Sequence, residues 1–581
     1  MRNAKIVCTI GPASDSREQL RGLMQAGMDV SRLNASHGTP ADRHGVIDRI
    51  RDVGGELSAP VAVMYDLAGP EIRTAPVEEA VRIETGSAVR FSVGETATPG
   101  EVGLSASVAA ARPGDRVLLD DGRIETVVTE SDGESVVARV EDGGDLDGNR
   151  GVNVPGVDLG LPVVTEQDRR DIAVAVEQDV ELVAASFVRS EADVYEVAEA
   201  IDDEGGDIPV VAKIERADAV ENVDAIADEA AGVMVARGDL GVECPMEEVP
   251  LIQKRVIRQC HRAGVPVITA TEMLDSMIHE RRPTRAEASD VANAVLDGTD
   301  AVMLSGETAI GDHPETVVET MDRIVRDVES REEYAESREQ RVPPAGESRT
   351  DALARSARFL ARDVGASAIV AASESGYTAR KAAKYRPDVP IVAATPSERV
   401  RRQLSLSWGI QPEYTSYTEN GADAVIQTAV QSAIDAGVVG PGETVVVLAG
   451  MMTELGGLDT ANTLKVHVAA ETLVSGRPVV DGVVSGPVFH VEDGTLTGMP
   501  AGAIIAVPAD YEGEFDGDLS AVGGILTAHE GVTGYAAIVA RELGVPTIAD
   551  VDLSDVDAGV AVTLDGERGV VYADQVTGRA E

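Results

Sequence analysis

The sequence predicts an α/β protein whose largest part is a (β/α)8 barrel of the TIM type. Short apolar runs rich in Val and Ala recur at intervals of about thirty residues between 210 and 308, and each run ends abruptly in polar residues. Strands of a parallel barrel are apolar throughout because helices cover one face and the barrel interior fills the other. The polar residues that end such strands meet at the C-terminal mouth of the barrel, where barrel enzymes carry out their chemistry.

Eight apolar runs are assigned to the barrel strands. They are Ile6–Ile10, Met28–Leu33, Val61–Tyr65, Leu182–Ala185, Val210–Lys213, Val233–Ala236, Val265–Thr269 and Ala301–Leu304. Helical patterns follow most of them, for example at Asp218–Ala230 and Ile252–Ala263. We therefore expect the barrel to comprise residues 1–73 and 154–340 and to end in a long helix near Glu339.

The third and fourth predicted strands are separated by far more residues than a βα loop needs. The segment between them contains short β-like runs divided by Gly, Asp and Pro turns. These runs are Ala88–Val93, Arg116–Leu119, Ile124–Thr129 and Ser135–Val140. A small β-barrel domain inserted in the larger barrel is expected over residues 74–153.

The C-terminal half begins with a segment typical of a linker, Arg-Val-Pro-Pro-Ala-Gly-Glu-Ser from Arg341 to Ser348. The strand-like runs that follow it are Ala368–Ala372, Ile391–Ala394 and Thr444–Leu448. A separate α/β domain is therefore expected over residues 341–474. Residues 475–581 are rich in glycine, carry one helix-like run at Tyr535–Leu543 and are expected to form a further domain.

The chain is strongly acidic, with 100 acidic and 50 basic residues among 581 and a formal net charge of −50 spread along the sequence. Lysine occurs six times, so 44 of the 50 basic residues are arginine. Such a charge opposes the compact state by self-repulsion, which concentrated salt screens. The acidity therefore indicates adaptation to a salt-rich cytoplasm. The absence of a basic stripe argues against nucleic acid as a partner.

The composition also bounds the compartment and the class of protein. Well-formed apolar runs exclude a disordered chain although aromatic residues make up only 3%. The three cysteines, Cys8, Cys244 and Cys260, are too few and too scattered for a disulfide framework or a zinc site. No apolar run approaches the roughly 20 residues of a membrane span, and the N-terminus lacks the apolar core of a signal peptide. We expect a cytoplasmic protein with no membrane partner.

Chemically useful side chains follow four of the predicted strands. They are Lys213 and Glu215, then Gly238 and Asp239, then Thr271, and finally Ser305. Glu215 and Asp239 end neighbouring strands, and paired carboxylate oxygens suit Mg²⁺, which shares its coordination shell with substrate phosphate. The alternative is that both acids are ordinary solvated carboxylates of an acidic protein, and that Ser305 only caps a helix.

Several ordered segments make the chain recognisable. They are Lys-Ile-Val-Cys-Thr-Ile-Gly-Pro from Lys5, Gly-Met-Asp-Val-Ser-Arg-Leu-Asn-Ala-Ser-His-Gly from Gly27, Gly-Pro-Glu-Ile-Arg-Thr from Gly69, Gly-Val-Asn-Val-Pro-Gly from Gly151, Val-Ala-Arg-Gly-Asp-Leu-Gly from Val235, Arg-Pro-Thr-Arg-Ala-Glu from Arg282 and Met-Leu-Ser-Gly-Glu-Thr from Met303. Over roughly its first 470 positions the chain resembles the pyruvate kinase family. The resemblance implies transfer of a phosphoryl group from phosphoenolpyruvate to ADP by a homotetramer.

The resemblance also assigns roles to residues at the mouth. Lys213 would face the phosphoryl group and the enolate oxygen, and Thr271 and Ser305 would belong to the network that delivers a proton to the enolate carbon. Arg32 joins them as a phosphate clamp in a catalytic set of Lys213, Thr271, Ser305 and Arg32. The residues implied to bind phosphoenolpyruvate are Arg32, Lys213, Gly238, Asp239 and Thr271, and the Mg²⁺ (or Mn²⁺) ligands are Glu215 and Asp239.

Two further sites follow from the resemblance alone. The nucleotide would be held by Arg73, Arg150, His37 and Asn34, with Arg150 replacing the lysine that is usual on the small domain that closes over it. A K⁺ site would be formed by Asn34, Ser36, Asp66 and the carbonyl of Leu67. Family members that need K⁺ carry glutamate in the Gly-Pro-Glu segment, so Glu71 predicts K⁺ dependence, although Leu67 departs from the threonine usual in dependent enzymes.

The resemblance makes the 341–474 domain an allosteric one. Its loop Ser-Glu-Ser-Gly-Tyr-Thr-Ala lies between a strand and a helix, where hydroxyls and backbone amides can form a phosphate nest. The implied effector ligands are Ser373, Ser375, Gly376 and Thr378. Glu374 within the loop would weaken a doubly phosphorylated ligand, and an ordinary helix cap remains the alternative.

Residues 475–581 resemble the mobile, swivelling phosphohistidine domain of phosphoenolpyruvate-utilising enzymes. The matching segment runs from Glu530 to Pro546, but Gly534 and Tyr535 stand where that family carries Ser-His. Tyrosine, with a pKa near 10, cannot replace imidazole as a transient phosphoryl carrier near neutral pH, and His529 is six residues too early in the sequence. We expect a structural or regulatory domain and not a phosphoryl relay.

Three other functions remain open. A carbon–carbon lyase on the related phosphoenolpyruvate/pyruvate barrel also uses paired acids and Mg²⁺, but the inserted β domain speaks against it. A pseudoenzyme that senses phosphoenolpyruvate would retain the pocket without turnover. A phosphohistidine-dependent synthase or dikinase would need the histidine that Tyr535 replaces.

Overall fold

The computed structural model describes residues 2–417, 422–440, 442–450, 461–470, 472–491, 493–511 and 513–573. Two compact units are present, Met1–Arg355 with Ser373–Tyr414, and Ser356–Ala372 with Thr415–Glu581. The first unit contains every residue predicted for catalysis, so its architecture positions the site.

The first unit begins with three β-strands that alternate with helices. The strands are β1 (Lys5–Thr9), β2 (Val30–Asn34) and β3 (Ala62–Asp66), and the helices are α1 (Arg17–Ala26) and α2 (Pro40–Leu57). Ser16 and Thr39 begin the two helices as N-caps, each accepting a hydrogen bond from a backbone N–H of the first turn. Gly27 ends α1 in the left-handed region, with a φ of 116° that only glycine adopts easily.

An inserted β domain follows β3. Its strands are β4 (Ile72–Arg73), β5 (Val81–Ile83), β6 (Ala88–Val93), β7 (Ala97–Thr98), β8 (Glu101–Leu104), β9 (Arg116–Leu119), β10 (Ile124–Ser131), β11 (Val136–Asp142), β12 (Gly144–Leu146) and β13 (Gly151–Asn153). They form an eight-stranded sheet in the order β4-β13-β9-β10-β11-β6-β8-β7 and a two-stranded ribbon of β5 and β12. All four runs predicted here are strands, and two extend a little further than predicted.

The chain then returns to the barrel. The strands are β14 (Leu182–Ala185), β15 (Val210–Ile214), β16 (Gly232–Ala236), β17 (Val267–Ala270) and β18 (Ala301–Leu304). The helices among and after them are α3 (Glu166–Glu177), α4 (Glu191–Asp203), α5 (Ala217–Glu221), α6 (Val223–Glu229), α7 (Arg237–Glu243), α8 (Val249–Ala263), α9 (Arg285–Asp297), α10 (Gly306–Ala309), α11 (Pro314–Glu329) and α12 (Glu332–Gln340). A 3₁₀ turn lies at Asp275–Ile278.

The predicted helix at Asp218–Ala230 is two helices, α5 and α6, and the predicted long helix ending near Glu339 is also two, α11 and α12. Asn222 both ends α5 and begins α6 with a φ of −94° and a ψ of 8°. The second break falls at Ser330 and Arg331. At the first break the apolar residues Val220, Val223 and Ile226 keep helical spacing, and at the second no glycine or proline marks the break, so the sequence pattern predicted one continuous helix in each place.

The eight strands close into a parallel barrel in the order β1-β18-β17-β16-β15-β14-β3-β2, which confirms the predicted fold class. Alternate strand residues form two layers because side chains of a strand point to opposite faces in turn. The inner layer is a cluster that includes Val7, Met64, Val211 and Met234, and Leu406 from another part of the first unit joins it.

Residues 341–414 continue with α13 (Arg349–Asp363), β19 (Ala368–Ala372), α14 (Tyr377–Lys384), β20 (Ile391–Thr395), α15 (Glu398–Gln403), a 3₁₀ turn at Leu404–Leu406 and β21 (Ile410–Tyr414). Within the first unit, β20 and β21 pair in parallel, with Ile391 opposite Ile410. Lys5 at the start of β1 donates a 2.7 Å hydrogen bond to the carbonyl of Ile410.

The second unit contains β19, α16 (Ala422–Asp435), β22 (Thr444–Ala449) and β23 (Thr463–Val468). Strand β22 pairs in parallel with β19 and antiparallel with β23. The remaining strands are β24 (Thr472–Ser475), β25 (Arg477–Val480), β26 (Val483–His490), β27 (Ala503–Val507), β28 (Val522–Thr527), β29 (Thr547–Ala549), β30 (Ala561–Asp565) and β31 (Val570–Ala573), with α17 at Tyr535–Leu543 and 3₁₀ turns at Leu519–Ala521 and Leu553–Asp555. They form one sheet in the order β24-β31-β30-β26-β27-β28-β29-β25. Among the described residues no helix has the length and apolar character needed to cross a bilayer.

Candidate active site at the mouth of the barrel

The inner layer of the barrel changes from apolar to charged at the C-terminal ends of the strands. Thr9 of β1 lies opposite Arg32 of β2. Arg32 follows Val30 of the inner layer by two residues, so both side chains share the inner face. In the same way, Asp66 follows Met64 of the inner layer by two residues in β3, and Lys213 follows Val211 by two residues in β15. These residues form the floor of the mouth.

Asp66 is the centre of the charge network on this floor. Arg32 Nε donates a 2.6 Å hydrogen bond to Asp66 Oδ2, and Lys213 Nζ lies 3.3 Å from Asp66 Oδ1. Burial of this fully enclosed carboxyl would raise its pKa, but Arg32 and Lys213 together hold the pKa of Asp66 below its ordinary value. Arg32 Nη1 also donates to Thr9 Oγ1 at 3.0 Å, which fixes the guanidinium from a second side.

Lys213 is held by three oxygens. Its ammonium donates to Ser186 Oγ at 2.8 Å and lies 2.8 Å from Glu215 Oε1, in addition to the contact with Asp66. Burial disfavours the charged form, but Asp66 and Glu215 outweigh burial and raise the pKa of Lys213. The side chain therefore stays a cation at a fixed position in the mouth.

Glu215 and Asp239 form the predicted acidic pair. Glu215 is 2% exposed, and its Oε2 accepts a 2.7 Å hydrogen bond from the backbone N–H of Phe187. Asp239 lies in the first turn of α7. Burial, and then the negative charge of Glu215, raise the pKa of Asp239 to about 7, against the opposing effect of Lys213. Two carboxylates that repel each other in a buried place form a site where a divalent cation is electrostatically favoured.

Gly238 and Thr271 meet at the ends of β16 and β17. A Cβ added at Gly238 would lie 2.8 Å from Thr271 Cγ2, so only glycine fits at this position without displacing the threonine. Thr271 itself has a φ of 72°, in the left-handed region that β-branched residues rarely adopt. Such a backbone persists only where surrounding contacts enforce it.

Arg237 supplies those contacts. Its Nε donates to the carbonyl of Ala270 at 2.9 Å, and its Nη2 donates to the carbonyl of Thr271 at 2.7 Å. Nη1 donates to Asp290 Oδ1 of α9 at 2.7 Å. The guanidinium thus fixes the turn of Thr271. Arg237 itself directly precedes Gly238 and Asp239 in the sequence.

Ser305 begins the short helix α10 at the end of β18. Its backbone N–H donates a 2.6 Å hydrogen bond to Glu307 Oε2, and Glu307 Oε1 accepts from the backbone N–H of Leu274 at 3.0 Å. Burial raises the pKa of Glu307. The Glu307 carboxyl therefore ties the turns after β17 and β18 together, with Thr271 on one and Ser305 on the other.

The predicted K⁺ ligands lie close along the ends of β2 and β3. Asn34 pairs opposite Asp66, and Asn34 Oδ1 accepts a hydrogen bond from the backbone N–H of Ser36 at 3.1 Å. The Leu67 carbonyl accepts from Ser186 Oγ at 2.7 Å. Asp66 Oδ1, although near Lys213, accepts no well-oriented hydrogen bond from the described protein atoms.

The residues predicted to bind nucleotide lie in two places. Arg73 and Arg150 are neighbours in the inserted domain, whereas Asn34 and His37 lie at the end of β2 and in the loop after it. Arg73 on β4 donates to Glu71 Oε2 at 2.7 Å and to the Asn149 carbonyl at 2.9 Å. Arg150, in the inserted domain, pairs with Asp147 at 2.6 Å and Asp120 at 3.3 Å.

His37 follows Asn34 and Ser36 in the loop after β2. The His37 carbonyl accepts a 2.7 Å hydrogen bond from Arg43 Nη1. Arg43 also donates to Tyr65 Oη at 2.5 Å and to Asp171 Oδ1 at 2.5 Å. This buried arginine anchors the loop that carries the predicted K⁺ and nucleotide ligands.

The predicted effector loop lies between β19 and α14. Gly376 is the N-cap of α14 with a φ of 78°. Ser373 and Thr378 are buried, whereas Ser375 is exposed.

The described residues include no group of three or more His, Cys, Asp or Glu side chains that could hold a metal ion.

Comparison with known proteins decides the family. Residues 1–318 match the family described as "Pyruvate kinase, barrel domain", and residues 351–467 match "Pyruvate kinase, alpha/beta domain". The chain belongs to the pyruvate kinase family. The pyruvate kinase of Bacillus licheniformis is 40% identical over 583 residues, covering 98% of this chain and 99% of the relative. The pyruvate kinase of Staphylococcus aureus (strain MRSA252) is 40% identical over 581 residues with the same coverage.

A solved structure agrees with this assignment. The crystal structure of a pyruvate kinase from Cryptosporidium parvum superimposes with a TM-score of 0.75 at 34% identity, covering 81% of this chain and 96% of that chain. The chain is therefore an enzyme of the pyruvate kinase class by family, and the family predicted from the sequence motifs is confirmed.

Residues 499–569 match the family described as "PEP-utilising enzyme, mobile domain", which confirms the predicted resemblance of the C-terminal part. Tyr535 is the first residue of α17, and its ring lies 5.4 Å from that of Phe515. His529 is six residues before Tyr535 in sequence, and its ring lies beside the N-cap of α17, because a Cβ at Gly534 would lie 3.2 Å from His529 Nδ1.

Two side chains of this pyruvate kinase site, Thr9 and Ser186, were not singled out from the sequence, and Arg237 was given no role. Ser186 directly follows the predicted strand Leu182–Ala185, which is the same signal that identified Lys213 and Ser305. Thr9 ends β1 in the same way. Nothing in the spacing of Arg237 distinguishes a residue that supports the site from one that binds substrate.

Proposed function

We propose that the chain transfers the phosphoryl group of phosphoenolpyruvate to ADP, giving pyruvate and ATP in the last step of glycolysis. The observation that carries the proposal is the buried network in which Arg32 and Lys213 share Asp66 beside the acidic pair Glu215 and Asp239. Phosphoryl transfer is catalysed mainly by positioning and by electrostatic stabilisation, and this network supplies both.

Lys213 and Arg32 are the catalytic cations in this proposal. A compact ammonium stabilises the charge that develops on a transferring phosphoryl group and on the enolate oxygen, while the arginine fork suits phosphate oxygens. Ser186, Asp66 and Glu215 already hold the ammonium, so little reorganisation is needed during the reaction. Gly238, Asp239 and Thr271 complete the binding site for phosphoenolpyruvate.

Mg²⁺, or Mn²⁺, fits the pair Glu215 and Asp239, because burial and then the negative charge of Glu215 raise the pKa of Asp239, and a divalent cation would relieve the repulsion between the two carboxylates. Bound there, the cation would neutralise charge on the phosphate oxygens. Both carboxylates are held in place without it, Glu215 by Lys213 and Phe187 and Asp239 by the first turn of α7.

Thr271 and Ser305 are proposed to deliver a proton to the enolate carbon, through an intervening water. Both hydroxyls lie on turns that Glu307 joins. The strained backbone of Thr271 supports a functional role for this turn, since strain is retained where the surroundings enforce it.

The inserted domain is proposed to close over the mouth and exclude water during transfer. Arg73, Arg150, His37 and Asn34 would then bind ADP. Arg73 and Arg150 now pair with Glu71, Asp147 and Asp120, so binding of the nucleotide would exchange these carboxylates for phosphate.

A K⁺ ion is proposed at Asn34, Ser36, Asp66 and the Leu67 carbonyl. The oxygen Asp66 Oδ1 supports this assignment because it is buried without a well-oriented donor. Glu71 supports K⁺ dependence by resemblance, and its ion pair with Arg73 places a negative charge beside a proposed nucleotide ligand.

The remaining features are also proposals. The chain would act as a homotetramer in a salt-rich cytoplasm, without nucleic-acid or membrane partners. Its domains would comprise 1–73 with 154–340, then 74–153, 341–474 and 475–581. A phosphorylated effector would bind at Ser373, Ser375, Gly376 and Thr378, and the last domain would be structural or regulatory because Tyr535 replaces the histidine of its family.

The test is release of pyruvate from phosphoenolpyruvate and ADP with Mg²⁺, in molar KCl and again in molar NaCl. Activity in KCl that collapses in NaCl supports both the kinase and the K⁺ site. Equal activity in the two salts retains the kinase and removes the K⁺ proposal. The variant Glu215→Gln should lose activity, whereas Glu221→Gln, at an exposed position on helix α5 after the same strand, should retain it.

A folded protein that forms no pyruvate in either salt but binds phosphoenolpyruvate would overturn the kinase proposal in favour of a sensor. Binding is measured by equilibrium dialysis with labelled substrate, which requires no turnover.

A further inference from the structure

The chain crosses between the barrel and the inserted domain twice. The first crossing, residues 67–71, lies between β3 and β4, and the second, residues 154–163, follows β13. In the second crossing the apolar residues up to Leu161 pack on the core of the inserted domain, whereas Val163 belongs to the core of the barrel. Any movement of the inserted domain relative to the barrel must therefore bend these two crossings.

A cavity of about 50 Å³ lies between the two crossings. Pro70 of the first crossing and Val157 and Leu159 of the second line it, and so does Phe187, which follows β14 of the barrel. The Phe187 ring also lies against the first crossing, because a Cβ added at Gly69 would lie 3.1 Å from Phe187 Cδ2. Close-packed interiors contain few gaps larger than a water molecule, so this one leaves the ring space to shift.

The backbone of Phe187 is tied to the acidic pair at the mouth. Its N–H donates the 2.7 Å hydrogen bond to Glu215 Oε2, and the other carboxylate oxygen, Oε1, lies 2.8 Å from Lys213 Nζ. These two contacts together orient the carboxylate. A displacement of the Phe187 N–H would therefore reorient Glu215.

The Phe187 backbone has little freedom to absorb a movement of its ring. Its φ is 57°, in the left-handed region that aromatic residues rarely adopt. The preceding residue, Ser186, is fixed from two sides, since its Oγ donates to the Leu67 carbonyl at 2.7 Å and accepts from Lys213 at 2.8 Å. Strain of this kind is retained where the surroundings enforce it. A shift of the ring is therefore passed to the N–H instead of being absorbed by rotation of the backbone.

Two arginines attach the same part of the barrel to the second crossing. Arg189 Nη1 lies 3.4 Å from Asp158 Oδ1, and Arg216 Nη2 donates a 3.5 Å hydrogen bond to the Val157 carbonyl. Both arginines line the cavity, and Arg216 directly follows Glu215 in the sequence. The turns after β14 and β15 are thus both connected to the second crossing.

We propose that Phe187 is a positioning residue whose ring transmits the position of the inserted domain to Glu215, an inference that rests on the function proposed above. When the inserted domain closes, the two crossings would press the ring toward its cavity and hold the Phe187 N–H on Glu215 Oε2. Coupling between two sites is reciprocal. A divalent cation that fixes Glu215 should therefore make the crossings more rigid.

The test is hydrogen exchange of residues 154–163, followed by mass spectrometry on the full-length protein with and without Mn²⁺ at constant KCl. We expect Mn²⁺ to slow exchange in this segment of the wild-type protein. Phe187→Ala and Phe187→Gly should both lose this protection, although both retain the N–H that Glu215 accepts. Phe187→Tyr, which retains the ring, should keep it. Free Mn²⁺, measured by electron paramagnetic resonance, reports in each protein whether the cation is bound.

The alanine and glycine variants separate the ring from the strain. Glycine adopts a φ of 57° freely, whereas alanine does not. If the ring served only to hold the strained turn, Phe187→Gly would behave like the wild-type protein, and the proposal would be overturned.

Val188→Ala is the matched control for loss of apolar volume beside the site. Val188 is fully buried in the core between the strands and helices of the barrel and is not part of the cavity wall. This variant should keep the Mn²⁺-dependent protection. A loss as large as that in Phe187→Ala would show that the effect is general loosening of the barrel and would overturn the proposal.

Steady-state kinetics give a second readout. Phe187→Ala and Phe187→Gly should lower kcat about tenfold or more with little change in the KM for phosphoenolpyruvate, because misplacement of a group at the reacting centre affects the transition state more than substrate binding. Wild-type protein that forms pyruvate but shows no Mn²⁺-dependent protection overturns the role of Phe187 and retains the kinase. Protection that depends on the Phe187 ring, without pyruvate formation, retains the role of Phe187 and removes the kinase.

Discussion

Gly238 and Thr271 touch at the mouth of the barrel, since a Cβ on Gly238 would lie 2.8 Å from Thr271 Cγ2. The two residues follow neighbouring strands, β16 and β17. Gly238 begins the segment that carries Asp239, and Thr271 carries the hydroxyl proposed for proton delivery. Their contact therefore holds the segment of Asp239 against the turn of Thr271.

The contact between Gly238 and Thr271 should control turnover. Gly238→Ala should lower kcat about a hundredfold, because a displacement near 1 Å at the reacting groups costs that much. The clash is with the methyl group of Thr271 and not with its hydroxyl, so Gly238→Ala/Thr271→Ser should recover much of the activity. Steady-state kinetics on the four proteins, including Thr271→Ser alone, test this. A double variant no better than Gly238→Ala would show that the methyl contact is not what matters.

Arg237 should act as a positioning residue for Thr271. Arg237→Lys keeps the charge but loses the fork that joins the carbonyls of Ala270 and Thr271, so proton transfer should suffer more than binding of phosphoenolpyruvate. The measurement is exchange of the pyruvate methyl protons in D₂O beside overall turnover and KM. Asp290→Asn, which alters the partner of Arg237 Nη1, should give the same pattern more weakly. A change confined to KM would argue against this role.

Lys213→Met should abolish phosphoryl transfer while the barrel stays folded. The variant leaves Asp66 and Glu215 buried with one cation fewer, so the free energy of unfolding should also fall by about 3 kcal/mol. Lys254→Met is the control, because Lys254 also pairs with an aspartate, Asp297, but on the outer helices. Turnover in Lys213→Met comparable to that of the control would remove Lys213 from the mechanism.

His261 should make stability depend on pH. Burial, and next the charge of Arg386, lower the pKa of His261 from 6.5 to about 3, while its Nε2 lies 2.8 Å from the Lys384 carbonyl. The folded protein thus keeps the ring neutral where the unfolded chain protonates it. The stabilisation is fully present above pH 6.5 and is lost as the pH falls from 6.5 toward 3.

The expected slope from His261 is about 1.4 kcal/mol per pH unit in that window. Denaturant unfolding followed by Trp408 fluorescence at a series of pH values measures it, and His261→Gln should flatten the curve. An unchanged slope in this variant would mean that other groups account for the acid sensitivity.

Salt should stabilise the folded chain. Screening of the −50 net charge should raise the free energy of unfolding between low salt and about 2 M KCl, where the screening length is only a few Å. Thermal unfolding in KCl and in an equal concentration of NaCl separates screening from a specific K⁺ effect. Stability that does not change with salt would contradict the interpretation of the acidity.

The barrel and much of its site could be predicted because polar residues interrupt apolar runs. Lys213, Glu215 and Ser305 stand directly after such runs, so their place at the mouth follows from the strand alone. The partner of Lys213 at Ser186 and that of Arg32 at Thr9 depend on the register between strands, which one sequence does not specify. The break between α5 and α6 at Asn222 was not predicted for another reason, since the apolar spacing continues through it.

Arg73 and Arg150 show a different limit. Their residue type predicted phosphate binding, but the ion pairs with Glu71, Asp147 and Asp120 could not be predicted. In a chain with two acids for each base, the sequence offers many carboxylates as partners for an arginine. Which of them it contacts depends on the packing of the inserted sheet.

The charges that meet at Asp66 have a consequence for the encounter of enzyme and substrate. Arg32 and Lys213 are balanced by Asp66 and Glu215, so these four residues present no net positive charge to an approaching anion, and the surrounding protein is strongly negative. Long-range attraction therefore cannot guide phosphoenolpyruvate or ADP to the mouth, and at low ionic strength the protein would repel them. Association rates should rise with added salt, the reverse of the trend in enzymes that steer anions through a positive field.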